Sequence, residues 1–167
     1  MELKTDRLLR GPIWGQTIDQ LAGMFKPRTN YMIYMLSMAI GIMYDKRIAK
    51  PEENGEEPRN VPRNVFQNND NGQLDFMFQA AILTTTTVDM SEDERLNLAF
   101  GDKDEAGFDK MGFLSEFANF GVTKLHENIG SSPVETMENI KNFLAASVEG
   151  NNLDIDSLPD DYLLPDE

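Results

Sequence analysis

The longest run of apolar positions, YMIYMLSMAIGIMY at residues 31–44, carries no charge and has four methionines and three tyrosines. A helix with no charged face is expected to be hidden on nearly all sides, as the central helix of a core is. Fourteen residues make a helix of roughly 21 Å, short of the ~30 Å hydrocarbon layer of a bilayer. Lys26-Pro27-Arg28 and Asp45-Lys46-Arg47 close the run at its two ends, so a membrane span is not expected. Tyr34, Ser37, Gly41 and Tyr44 fall on one side of this helix, and Ser37 with Gly41 would admit a close neighbour. Methionine adapts to irregular surfaces, which leaves open a subunit interface along part of the helix.

Helical periodicity recurs on both sides of this run. Ile18, Leu21, Ala22 and Phe25 follow Gly15–Asp19, and Thr29 or Asn30 is placed to cap the central helix. Residues 73–83 resume the pattern, capped from Asp70 or Asn71, and end or fray at Thr84–Thr87, where a brief strand is the competing reading. Ser91 and Glu94 have capping-box spacing, and Gly101 stops the helix they open. Across 108–129 the positions Phe113, Leu114, Phe117, Ala118, Leu125 and Ile129 share a face. Ser132, Pro133 and Glu135 then start a helix with a stripe of Val134, Met137, Ile140, Phe143, Leu144 and Val148, stopped by Gly150.

The segment 50–72, KPEENGEEPRNVPRNVFQNNDNG, is rich in Pro, Gly and Asn and reads as one long connector, with Val61, Val65 and Phe66 as anchors. Residues 151–167 hold six carboxylates and no cation and read as an acidic tail. The expectation is an all-α fold: a compact bundle of five or six helices around the central hydrophobic helix, without a sheet. Residues 1–150 would form a single domain.

Composition narrows the chemistry. The chain has 167 residues, no cysteine and one histidine, His126, which removes thiolate chemistry, disulfides and a multi-histidine metal site. Its net charge is −14, unevenly placed: residues 1–65 hold ten Lys/Arg against eight Asp/Glu, and residues 66–167 hold five against twenty-one. Such a surface repels phosphate backbones. The first residues lack a signal-peptide run, so a cytoplasmic protein is expected. Asp102–Gly107 begins like a calcium loop and Asn69–Gly72 resembles one with Gly72 at its sixth position, but the twelfth positions are Phe113 and Phe78 where a carboxylate is required. No phosphate-loop or nucleophile-elbow motif occurs. No catalytic residue, metal ligand or cofactor is therefore assigned, and the chain is not expected to be an enzyme. The cations around the connector, Lys46, Arg47, Lys50, Arg59 and Arg63, are the candidate contacts to a partner or to DNA.

Three blocks, YMIYMLSMAIGIMYDKR (31–47), NVPRNVF (60–66) and FLSEFANFGVTKLHENI (113–129), resemble the small proteins associated with bacterial Dnd (DNA phosphorothioation) gene clusters, the Dnd system-associated protein 4 family. Ala39, Gly41, Lys46 and Arg47 match that family's A-x-G-x-x-x-x-K-R stretch. Glu116-Phe117-Ala118-Asn119-Phe120-Gly121-Val122 with Leu125 matches its later E-[FY]-A-N-x-G pattern, although Phe120 stands where the family has glycine. The 133–150 helix and the tail have no counterpart in it. The resemblance implies a non-catalytic accessory subunit of a prokaryotic anti-phage defence or DNA-modification complex. Its partners would be other protein subunits of the system, an ATPase or nuclease among them, with nucleic acid met only through the complex and no membrane involved. Asn119 and Gly121, with Ser37 and Gly41, are candidates for a helix crossing or an interface. Two further readings come from charge alone: an acidic DNA mimic that occupies a nucleic-acid-binding groove, and a DNA-contacting subunit that uses the basic connector.

Overall fold

Hydrophobic burial organises this chain around two helices drawn together by glycine. The computed structural model describes residues 5–52, 54–101 and 107–148. The acidic tail at 151–167, the Gly150 stop and most of the 102–107 loop lie outside them. The described residues fall into two units, one up to Glu127 and one from Asn128 onward.

In the first unit the elements are β1 (Arg7–Leu9), α1 (Pro12–Leu21), α2 (Thr29–Met43), β2 (Arg59–Val61), α3 (Arg63–Asn69), α4 (Gln73–Thr84), α5 (Glu92–Phe100) and α6 (Lys110–Glu127). The second unit holds α7 (Pro133–Val148). The protein is therefore mostly helical, and α2 with α6 is its principal helix pair. Ile33, Tyr34, Met38 and Ile40 of α2 are buried, as are Leu114, Phe117, Ala118, Val122 and Leu125 of α6. Trp14 and Tyr34 stack at 6.1 Å, and Phe66 meets Tyr31 at 5.4 Å and Tyr34 at 5.8 Å. Phe113 meets Phe117 at 5.1 Å and Phe78 at 6.0 Å, so aromatic contacts line this core in two chains.

The 50–72 segment is not a structureless connector. Arg59–Val61 pairs antiparallel with Arg7–Leu9, matching Arg7 to Val61 and Leu9 to Arg59. Pro58 and Pro62 bracket this strand, and because proline has no N–H to donate, the ladder cannot extend past them. Pro62, extended at φ −62° and ψ 141°, then leads into α3. The Asp6 carboxylate accepts from the first amide of α3, Arg63 N–H, at 2.8 Å and from Asn60 Nδ2 at 3.0 Å. These bonds hold the Asp6 carboxyl below its usual range. Val61 and Phe66 are buried and anchor the segment, while Val65 is half-buried. The expectation of no sheet fails because a three-residue strand pairs with another more than fifty positions away, which leaves almost no local signal.

Helix ends follow capping chemistry. Ser91 Oγ accepts from Glu94 N–H at 3.3 Å while the Glu94 carboxylate accepts from Ser91 N–H at 2.8 Å, a complete capping box. Asp70 accepts from Leu74 N–H at 2.8 Å and starts α4, and α4 stops at Thr84 without a strand after it. Neither Thr29 nor Asn30 caps α2. Its cap position is Arg28, and Asn30 Nδ2 instead donates to the Asn60 carbonyl at 2.8 Å. In the second unit, Ser132 Oγ accepts from Glu135 N–H at 3.2 Å, and the Glu135 carboxylate accepts from Ser131 N–H at 2.8 Å. The buried positions of α7 run through Thr136, Ile140 and Ser147, whereas Val134 and Met137 are exposed. The buried arc thus shares Ile140 with the apolar stripe and leaves its first members, Val134 and Met137, outside. Thr136 is held in the first turn by its own hydroxyl, which accepts from Gly130 N–H at 3.0 Å.

Candidate functional site

Two of the three blocks that carry the resemblance, 31–47 and 113–129, meet at the α2–α6 crossing. A Cβ built on Gly121 would strike the Ser37 carbonyl, and one built on Gly41 would strike the Phe117 carbonyl. Backbone lies against backbone here, and only glycine fits on either side. Ser37 is buried at the same point, and its hydroxyl has no hydrogen-bond partner. Small volume, not polarity, suits it to the seam.

The chain leaving α2 is fastened along α6. Ile48 N–H donates to the Glu116 carbonyl at 2.9 Å, and Asn119 Nδ2 donates to the Ile48 carbonyl at 3.0 Å. Asn119 Oδ1 also accepts from the Trp14 indole at 3.1 Å, so one amide joins α1, α6 and the 46–48 stretch. Asn119→Ala is expected to lower stability by about 2–3 kcal/mol, because it strands a carbonyl and an indole N–H in part-buried surroundings. The denaturation midpoint checks this, together with a change in emission of Trp14, the sole tryptophan.

Arg47 is engaged at every guanidinium nitrogen. Nη1 pairs with Glu116 at 3.0 Å, Nε donates to Thr87 Oγ1 at 3.0 Å, and Nη2 donates to the Thr87 carbonyl at 2.9 Å. The same guanidinium lies 5.1 Å from the centre of the Phe113 ring. Two residues earlier, Asp45 sits in the left-handed region at φ 47°. Its carboxylate accepts from Thr86 N–H at 2.7 Å and from the hydroxyls of Thr85 and Thr86. The Asp45–Arg47 stretch therefore ties the threonine segment to the α2–α6 pair. Arg59 is bound to Asp19 at 2.6 Å in an exposed pair, while the side chains of Lys46, Lys50 and Arg63 are exposed. The five connector cations are thus divided between internal ties and open surface.

A cavity of about 450 Å³ opens beside this seam, between β1, the 49–51 stretch, Tyr34 and the start of α6. Arg7, Arg10 and Lys50 line it, with Asp6 and Glu116 as its acids. At its wall the Tyr34 hydroxyl bonds Ser115 Oγ at 2.8 Å, and Ser115 Oγ donates to the Met111 carbonyl at 2.6 Å. Burial pushes the Tyr34 phenol above its ordinary range, an effect opposed by the Ser115 bond and by the charge of Arg7. Of the cavity cations only Lys50 stood out in the sequence. Arg7 and Arg10 did not, because they flank an apolar pair in a stretch of mixed charge. Their one available signal was the pattern Arg-Leu-Leu-Arg before Gly11-Pro12, which places two cations beside a turn.

His126 Nδ1 lies 3.1 Å from Thr17 Oγ1, so the one imidazole is packed onto α1. Among the described residues no three or more His, Asp or Glu side chains converge as metal ligands would, and no helix is long and apolar enough to cross a membrane. Compared with protein-family models, with curated proteins and with solved structures, the chain matches none.

Proposed function

We propose that this chain is a non-catalytic interaction subunit of a prokaryotic anti-phage defence or DNA-modification complex, acting in the cytoplasm by binding other protein subunits. The observation that carries the reading is the exposed apolar surface of the α4–α5 hairpin. Phe76 is 69% exposed and Phe100 is 63% exposed, values unusual for phenylalanine outside a binding surface. The hairpin is antiparallel, since Gln79 Nε2 donates to the Ala99 carbonyl and Arg95 donates to the Ile82 carbonyl. Phe76 and Phe100 therefore lie toward one end of it, and Leu83 with Leu96, also exposed, toward the other. The sequence resemblance supplies the setting.

The test is purification of a tagged protein from its native host, wild type beside Phe76→Glu/Phe100→Glu. Recovery of a defence or DNA-modification subunit with the wild type, and at least tenfold less with the double variant at unchanged melting temperature, is the expected result. Central aromatic side chains typically carry 2 kcal/mol or more of an interface, and about 1.4 kcal/mol is tenfold. A wild-type protein that elutes alone at native expression levels overturns the reading.

A further inference from the structure

We infer that the cavity beside the α2–α6 seam binds a terminal phosphate group. A volume of about 450 Å³ falls within the range of small-molecule sites. Its charge is the decisive feature. In a chain of net charge −14, the cavity gathers Arg7, Arg10 and Lys50. Glu116, one of its two acids, is already paired with Arg47 at 3.0 Å. Asp6, the other, is occupied by Arg63 N–H and Asn60 Nδ2, which are neutral donors. Three cations thus face two carboxylates that are already engaged, Glu116 by Arg47 and Asp6 by Asn60, Arg63 N–H and the nearby charge of Arg63.

Arg7 adds a second, independent observation. Its Nε is buried and has no hydrogen-bond partner. An unmet buried donor costs about 1–3 kcal/mol, more when charged, so Arg7 is not satisfied by the groups the protein itself supplies. Arg59 Nε is unmet as well, but Arg59 is tied to Asp19 and is not part of the cavity lining. The remaining polar groups of the wall are spoken for: Asn119 by Trp14 and Ile48, Ser115 by Met111 and Tyr34. Recognition therefore falls to two guanidinium forks and one ammonium. Forks of this kind suit phosphate, and a phosphate monoester brings −1.5 to −2 charges at pH 7 against the local positive excess. A single carboxylate would balance only part of it.

The shared chemistry is the phosphate group, which could belong to a free small molecule or to the phosphorylated end of a nucleic acid. Calorimetry on the full chain at constant ionic strength tests this with five probes: inorganic phosphate, adenosine monophosphate, adenosine, succinate and a 5′-phosphorylated oligonucleotide. Saturable binding of adenosine monophosphate, with adenosine silent, supports the site and a small-molecule source. Stronger binding of the oligonucleotide than of adenosine monophosphate, lost when its 5′-phosphate is removed, supports the site and a nucleic-acid source. Arg10 and Lys50 are exposed, so Arg10→Gln/Lys50→Gln leaves the fold intact and is expected to weaken binding about tenfold or more. Arg7→Gln should do the same. Absence of binding by every phosphorylated probe, succinate binding as tightly as phosphate, or equal affinity in the Arg10/Lys50 double variant each overturns the proposal.

Discussion

Gly121→Ala will destabilise the protein by about 3 kcal/mol or more, enough to lower its melting temperature by roughly 10 °C. At an open helix position the same change would help, since alanine exceeds glycine in helix propensity by about 0.8–1 kcal/mol. At the seam the sign reverses. The new methyl lands on the Ser37 carbonyl, which is backbone and cannot rotate away, so α2 and α6 must separate along a contact that buries Leu114, Phe117 and Val122. Gly41→Ala should behave alike, because its methyl meets the Phe117 carbonyl. Gly15→Ala on α1 is the control. Its Cβ would lie 3.4 Å from the movable tip of Glu56, and a neutral or slightly stabilising outcome is expected. Thermal denaturation of the three variants followed by circular dichroism decides the matter. A Gly121→Ala protein as stable as wild type would mean the two helices do not cross as described.

Arg95→Met is expected to cost about 3 kcal/mol, the second large effect. The Arg95 guanidinium donates to four backbone carbonyls: Ile82 at 2.8 Å, Thr85 at 2.7 Å, Val88 at 2.6 Å and Met90 at 3.3 Å. Two of these lie in the last turn of α4 and just beyond it, where carbonyls have no helical partner. The others belong to the loop that follows. Methionine keeps most of the aliphatic stem but donates nothing, so the loss isolates the hydrogen bonds from packing. Hydrogen exchange should show residues 85–90 losing protection more than α6 does. Equal loss across both would locate the effect in global stability instead.

These cases show which features a single sequence discloses. The core face of α6 and the capping box at Ser91 were legible because both are periodic or local, spanning at most a few turns. Ser37 and Gly41 could be placed on one side of a helix for the same reason. Arg95 drew no notice, because one cation in an acidic helix looks like a solvated charge until the carbonyls around it are known. Asp6 was equally silent: its role as the cap of α3 depends on β1 lying beside β2, a register fixed across more than fifty residues. Asn119 marked a helix crossing by its neighbours in sequence, yet its bond to Trp14 joins residues 105 positions apart. Arg47, a candidate contact to a partner or to DNA, also donates within the chain, to Glu116 of α6 and to Thr87 of the threonine segment.

Gly41 and Gly121 stand eighty positions apart in the chain. A ribosome adding about 5–20 residues per second needs roughly 4–16 s to cover that distance. Throughout that interval the YMIYMLSMAIGIMY helix has emerged, or is emerging, without the surface that will enclose it. Newly made chains therefore pass through a stage when their most apolar segment is available to chaperones and to one another, and the burden falls on synthesis, not on the finished protein.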